Sequence, residues 1–268
     1  PAVARHIVSF SAHYNGDVSY AQAAAVCHSW AAAAAKAQHL QKATSFGLLK
    51  AGKRTGRFDR PHGVAFLPSG DIAIADCDNF RLQFWSREGC YQREIAMDGN
   101  TACPTGIACN DMSELFVAVH GSHQVVKLNP SGITMASTGG WGSGDGQLRH
   151  PWGICLSGDR VYVVDNGNHR VCCFDAETLA FLFAFGSGEL ANQVGLNGQL
   201  LQDPKGCAVH RDELLVVADA AANVCHCFTQ EGFQLRCIGG EGSTPGSFKE
   251  PTGVAISNEQ LYVTERTD

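Results

Sequence analysis

The sequence has no hydrophobic run long enough to cross a membrane as a helix, a span that needs ~18 apolar residues. The alanine-rich stretch Ala21–Ala37 is interrupted by Gln22, His28, Ser29 and Lys36, and it lacks the shape of a cleaved secretory signal. The chain opens on Pro1 rather than Met, which leaves a preceding leader open. An excess of positive charge is also missing. The formal net charge is −6, and the first 43 residues carry Arg5, Lys36 and Lys42 against Asp17, so the remainder is about −8. Such a balance argues against bulk attraction to nucleic acid or to an anionic membrane, although not against a local basic patch. There is no CxxC pair with zinc-site spacing, no P-loop, no nucleophile elbow and no paired catalytic carboxylate.

What the chain does have is repetition. The segment Gly56–Phe84 returns as Gly146–Phe174, with looser copies at Gly198–Phe228 and Gly246–Asp268 and a decayed one at Gly99–Leu128. Repeats of this length mark a solenoid or a propeller. Each copy opens on a glycine: Gly56, Gly99, Gly146, Gly198 and Gly246. A proline follows at Pro61, Pro104, Pro151, Pro204 and Pro251. Two residues later stands a second glycine: Gly63, Gly106, Gly153, Gly206 and Gly253. Proline fixes φ and lacks an N–H, so it suits a strand's entry. The second glycine permits positive φ or a close backbone approach near a crowded axis. Apolar runs such as VAF and ICL read as innermost strands, and β-branched runs such as VYVVD and LVVAD as second strands.

An acid closes the second strand in four copies: Asp76, Asp165, Asp219 and Glu265. In the clearest copies an asparagine follows three residues on (Asn79, Asn168) and an arginine five on (Arg81, Arg170). Such a trio fits a turn bonded by its own side chains. Copy two has lost it, and copy four keeps only Asp219. Decay of this kind argues for a structural trio rather than a catalytic one.

From residue 44 onward these anchors, with Asn168-His169-Arg170, resemble the NHL-repeat family of β-propellers. The resemblance implies an all-β propeller of four-stranded blades, starting near residues 56, 99, 146, 198 and 246. Four blades are complete and a fifth is partial, as if truncated from about six. The N-terminal HIVSF or ATSFGLL is expected to supply a closing outer strand.

Residues 1–43 form a separate segment, expected to be helical from about Asp17. VSYAQAAAVCHSW resembles the second half of an F-box, with Val26, Cys27, His28 and Trp30 in the motif's closing positions, and ARHIVSF would stand for its first helix. That resemblance implies docking on the adaptor of a cullin-type ubiquitin ligase through Val26 and Trp30. An amphipathic alanine-rich helix covering a propeller face is the alternative.

Most of the twelve cysteines lie in strands where sister copies carry small apolar residues, as Cys155 does opposite Ala65 and Ala108. They read as buried free thiols, which favours a reducing, cytoplasmic compartment. Function is expected where variable loops cluster at the propeller mouth, at Arg60, His62, Thr105, Arg149, His150, Trp152, Lys205 and Thr252. Trp152 and the nearby Trp141 are the candidate anchors. No cofactor or metal is implied. The leading reading is a non-catalytic protein-recognition module, a substrate receptor or scaffold of a ubiquitin ligase. The alternatives are RNA binding through Lys50, Lys53, Arg54, Arg57 and Arg60, and a channel-centred metal-dependent lyase or hydrolase using His62 and His150.

Overall fold

The computed structural model describes residues 7–13, 52, 54–97, 102–187, 201–211, 213–242, 244, 246–257 and 260–267. The element order is β1 (Ile7–His13), β2 (Pro61–Phe66), β3 (Ile72–Asp76), β4 (Arg81–Trp85), β5 (Tyr91–Ala96), β6 (Pro104–Cys109), β7 (Leu115–Val119), β8 (Gln124–Leu128) and β9 (Thr134–Gly139). It continues with β10 (Pro151–Ser157), β11 (Arg160–Asp165), β12 (Arg170–Asp175), β13 (Phe181–Phe185), β14 (Pro204–His210), β15 (Leu214–Asp219), β16 (Val224–Phe228), β17 (Gln234–Gly239), β18 (Pro251–Ser257) and β19 (Gln260–Thr267). Strands β2 to β17 form four antiparallel sheets of four consecutive strands each. A fifth sheet has the order β1-β19-β18.

Every copy enters its inner strand on the repeated proline, and that proline pairs with the residue ending the second strand: Pro61 with Asp76, Pro104 with Val119, Pro151 with Asp165, Pro204 with Asp219 and Pro251 with Glu265. The register shifts just past the proline in each sheet. A bulge there is what a residue without an N–H requires.

The repeated glycines explain how one sheet meets the next. A Cβ on Gly63 would collide with the carbonyl oxygen of Thr105, one on Gly106 with that of Trp152, one on Gly153 with that of Lys205, and one on Gly206 with that of Thr252. Innermost strands β2, β6, β10, β14 and β18 thus stand side by side in chain order, backbone against backbone. None of these glycines has positive φ. Close approach, not left-handed backbone, is the reason for glycine. Among the described residues a Cβ on Gly253 would meet the Thr264 side chain rather than backbone.

Apolar clusters fill the spaces between neighbouring blades, and alternate residues of one strand feed different clusters. Leu115, Val117 and Val119 of β7 pack toward the first blade with Leu82 and Phe84, whereas Phe116 and Ala118 pack toward the third with Val161 and Val163. Burial on both faces is why the second strands read as continuous apolar runs. Each buried leucine, valine or phenylalanine among them contributes about 1.5–3 kcal/mol. Lys127 crosses the same gap, pairing with Glu114 at 3.1 Å and donating to the Ala176 carbonyl at 3.1 Å.

Two expectations need correction. Ile7–His13 is a strand running parallel to β19, from Ile7 opposite Leu261 to His13 opposite Thr267, not the first helix of an F-box. An outer strand from HIVSF was the competing expectation. The remainder of the helical segment, including Val26 and Trp30, lies outside the described residues. Cys77 and Cys103 form a disulfide rather than standing as free thiols. Cys172, Cys173, Cys207, Cys225 and Cys227 are free and buried. Among the described residues no helix is long and apolar enough to cross a membrane.

Replacing Gly106 by Ala is expected to destabilise the fold by about 1–3 kcal/mol, because the neighbour it meets is backbone and cannot swing away. Gly253→Ala, which meets only a threonine hydroxyl, is expected to cost less. Denaturant midpoints of the two variants give the comparison.

Candidate functional site

Asp76 is fully buried and accepts four hydrogen bonds: from the Asp59 N–H at 2.7 Å, Asn79 Nδ2 at 2.9 Å, Arg81 Nε at 2.9 Å and Gln83 Nε2 at 2.8 Å. Arg81 then donates to the Arg54 and Arg57 carbonyls and to Glu94. Asp165 repeats the pattern, accepting from the Arg149 N–H at 2.6 Å, Asn168 at 2.7 Å and Arg170 Nε at 2.8 Å. Arg170 holds the carbonyls of Ser143, Gly144 and Gln147, and Asn168 that of Gly142. The trio thus ties down the loop entering its own blade. It satisfies buried backbone groups that would otherwise be orphaned, and both carboxylate oxygens of Asp76 and of Asp165 are engaged in that work.

Asp219 does the same with other partners. It accepts from the Gln202 and Asp203 N–H groups at 2.7 and 2.9 Å. Val224 stands where the first and third blades carry arginine, and His226, two residues on, brings its Nε2 to 3.4 Å from the carboxylate. Burial pushes the Asp219 carboxyl up, but His226 and the two backbone N–H groups outweigh it and leave it below the usual range.

The proline–acid register brings two sets of loops to one face: those ahead of each inner strand, and the turns between second and third strands. The residue after each second strand meets the residue before the next blade's proline. Cys77 is bonded to Cys103 at the first junction. His120 stacks on His150 at the second, with ring centroids 4.5 Å apart. Asn166 donates to Asp203 at 2.7 Å at the third.

Around the second junction the rings form a cluster. Trp152 lies edge-on to His62 at 5.0 Å and to His120 at 5.6 Å, with Lys205 Nζ 4.3 Å from its ring centre. His123 contacts His150 at 4.7 Å and Trp141 at 4.7 Å, and its Nδ1 accepts the His150 N–H at 3.0 Å. Arg149 stacks over Trp141 at 4.9 Å. Trp141 is 59% exposed. Arg60 is also exposed, paired with Asp78 at 3.2 Å.

Burial, with Arg60, His120 and Lys205 nearby, lowers the His62 imidazole to about 4. Burial, with His150 and His123 nearby, lowers His120 to about 4 as well. Both rings are neutral at neutral pH, and of the cations beside them Arg60 is paired with Asp78 and Lys205 with Asp203 at 2.9 Å.

The expected mouth residues thus divide. His62, His150, Trp152, Lys205 and Arg149 come together. Thr105 does not reach the face: it is 2% exposed and its hydroxyl donates to the Ala118 and Pro151 carbonyls. Thr252 spends its hydroxyl on Thr264. His120 and His123 were not foreseen, because they sit in turns after the second strand, where copy two shows only loss of the polar trio. In the basic run, Arg54 and Arg57 offer carbonyls to Arg81, while Lys50 and Lys53 lie outside the described residues. Cys77, Asp78 and Cys103 gather donor atoms within 4.8 Å of one another, but the disulfide takes both sulfurs.

The family model for the NHL repeat matches residues 58–84 and 148–174. Over 131 residues, 46% of this chain, it is 30% identical to the B-box type zinc finger protein ncl-1 of Caenorhabditis elegans and 28% identical to Protein brain tumor of Drosophila melanogaster. The match spans 15% and 12% of those two proteins. Among solved structures, virginiamycin B lyase from Staphylococcus aureus, in a catalytically inactive form with quinupristin, superposes with a TM-score of 0.61 at 15% identity. That match covers 85% of this chain and 69% of the lyase. A streptogramin B lyase structure gives 0.57 at 12% identity over 76% of this chain and 61% of that one. These likenesses carry the fold.

Arg170→Met would strand the Asp165 carboxylate in the interior and is expected to cost about 3–5 kcal/mol, read from denaturation. A second expectation concerns pH. The unfolded chain takes up protons on His62 and His120 near 6.5, whereas the folded chain does so only near 4. Stability therefore falls as pH drops through that window. His120→Gln should flatten the fall in melting temperature between about pH 6.5 and 5.

Proposed function

We propose that the repeat region, residues 44–268, is a non-catalytic recognition module that binds a protein partner through the face centred on Trp152 and Trp141. One observation carries this reading. Residues from four successive blades, His62, His120, Trp152 and Lys205, converge on one indole, while Trp141 stays open to solvent beneath Arg149. Aromatic rings and arginine supply most binding free energy at protein interfaces. The acids that might suggest chemistry are engaged in holding loops.

RNA is the second reading, favoured by cations resting on both indoles, since nucleic-acid bases stack on such platforms and phosphates seek such charges. A channel-centred lyase through His62 and His150 is supported less well. Both imidazoles pack on rings, and among the described residues the histidines do not gather three donor atoms within 4.8 Å. Recruitment to a cullin ubiquitin ligase would rest on Val26 and Trp30 and their resemblance to an F-box. The strand at Ile7–His13 takes the place of that motif's first helix.

Parallel affinity purification of the native chain and Trp141→Ala/Trp152→Ala/Lys205→Glu, after matching melting temperatures, tests the proposal. A protein partner is expected to bind the native chain directly and to lose at least about 30-fold in affinity in the variant. Binding destroyed by nuclease and falling steeply with salt would assign RNA instead. A partner retained at full affinity by the variant would place recognition elsewhere.

A further inference from the structure

The fourth blade departs from the first and third around its buried acid, and the departure assembles a different chemistry. In the first and third blades the buried acid is neutralised by Arg81 or Arg170. In the fourth blade Val224 stands there instead, and the imidazole of His226, two residues on, faces the acid. The equivalent residues elsewhere are Gln83 and Cys172, both also in contact with their acid. His226 lies directly opposite Cys237 of β17, so the two side chains share one face of the sheet. Cys237 Sγ is 3.3 Å from His226 Nδ1. Gln234 Nε2 lies 2.9 Å from the same nitrogen and 3.1 Å from the sulfur.

The amide donor of Gln234 makes Nδ1 the unprotonated side of the ring. The imidazole proton then sits on Nε2, facing Asp219 Oδ2 at 3.4 Å. A buried carboxylate faces one side of the imidazole, and on the other the thiol and the Gln234 amide compete for the single Nδ1 lone pair. Once the amide turns to the sulfur it also reaches, that lone pair is the base that turns a cysteine into a nucleophile. His226 is fully buried, whereas Cys237 is exposed on the blade's outermost strand.

We propose that Cys237 is a modification site that undergoes exchange with small disulfides, with His226 as its base and Asp219 as the residue that positions the imidazole. Burial pushes the thiol up, which makes a base beside it necessary for attack. The proton then passes to Nδ1 as sulfur attacks the nearer sulfur of the incoming disulfide. One S–S bond forms and one breaks, and the departing thiolate takes the proton back from the imidazolium. The small disulfide is reduced to one thiol, and Cys237 is oxidised to the mixed disulfide. Cys225 and Cys227 flank His226 but are buried toward the fifth blade with Phe248, so neither resolves the product.

Cys90, exposed on the first blade, is an internal reference in the same molecule. With limiting iodoacetamide at neutral pH, peptide-level mass spectrometry should show Cys237 alkylated at least about tenfold faster than Cys90. Glutathione disulfide should form its adduct on Cys237 first. His226→Gln installs the residue that the first blade uses beside Asp76. It should bring Cys237 to the rate of Cys90 while leaving Cys90 unchanged. A Cys237 rate at or below that of Cys90 in the native chain would overturn the proposal, whether or not the variant folds. So would a Cys237 rate unmoved in a folded His226→Gln.

Discussion

The contact on which the rest of this structure depends is that of a glycine with a carbonyl oxygen. Gly63, Gly106, Gly153 and Gly206 each face the backbone of the following blade at a distance no side chain would allow. That contact sets how near the innermost strands stand. Their spacing in turn sets the gap that Leu115, Val117, Phe84 and their equivalents fill. Because an unbranched backbone touches an unbranched backbone, the loops beside it are free to differ in sequence. The variable loops can therefore carry recognition without disturbing the scaffold.

The acid at the end of the second strand works one level up. It accepts the backbone N–H of the entering loop and, through arginine, gathers several carbonyls of the same loop. Where arginine is lost the loop is still held by the acid's own backbone bonds, as Asp219 holds Gln202 and Asp203. The arginine can then be dispensed with. This freedom lets the fourth blade carry Val224 where the first and third carry arginine, and set His226 against its acid where they carry Gln83 and Cys172.

Much of the architecture was legible in the spacing of proline, glycine and acid, because those three residues answer to backbone geometry, which every copy must repeat. The close approach at the second glycine was one of two stated reasons for it, and the structure decides between them. The face was legible only in part. Trp152 and Lys205 sit at the position just before that glycine, yet Thr105 and Thr252 at the same position turn their hydroxyls inward to carbonyls and to Thr264. A single sequence position gives the loop but not the direction of a short polar side chain. His120 and His123 escaped because their approach to Trp152 and Trp141 crosses blades, and a repeat alignment compares blades without placing them side by side. The Cys77–Cys103 bridge escaped for the same reason, since its two halves occupy different positions of different copies.

The blade junctions are fastened unequally. The first is covalent, the second rests on stacked imidazoles, the third on Asn166 donating to the Asp203 carboxylate and the Pro204 carbonyl, and at the fourth Ala220 brings no polar side chain while Asn223 accepts the Glu250 N–H. A chain pulled from its two ends, or threaded into an unfolding machine, therefore has a built-in direction of unravelling. The late blades peel away while the first two hold together as a tethered pair, from which the remaining sheets can rebuild one after another.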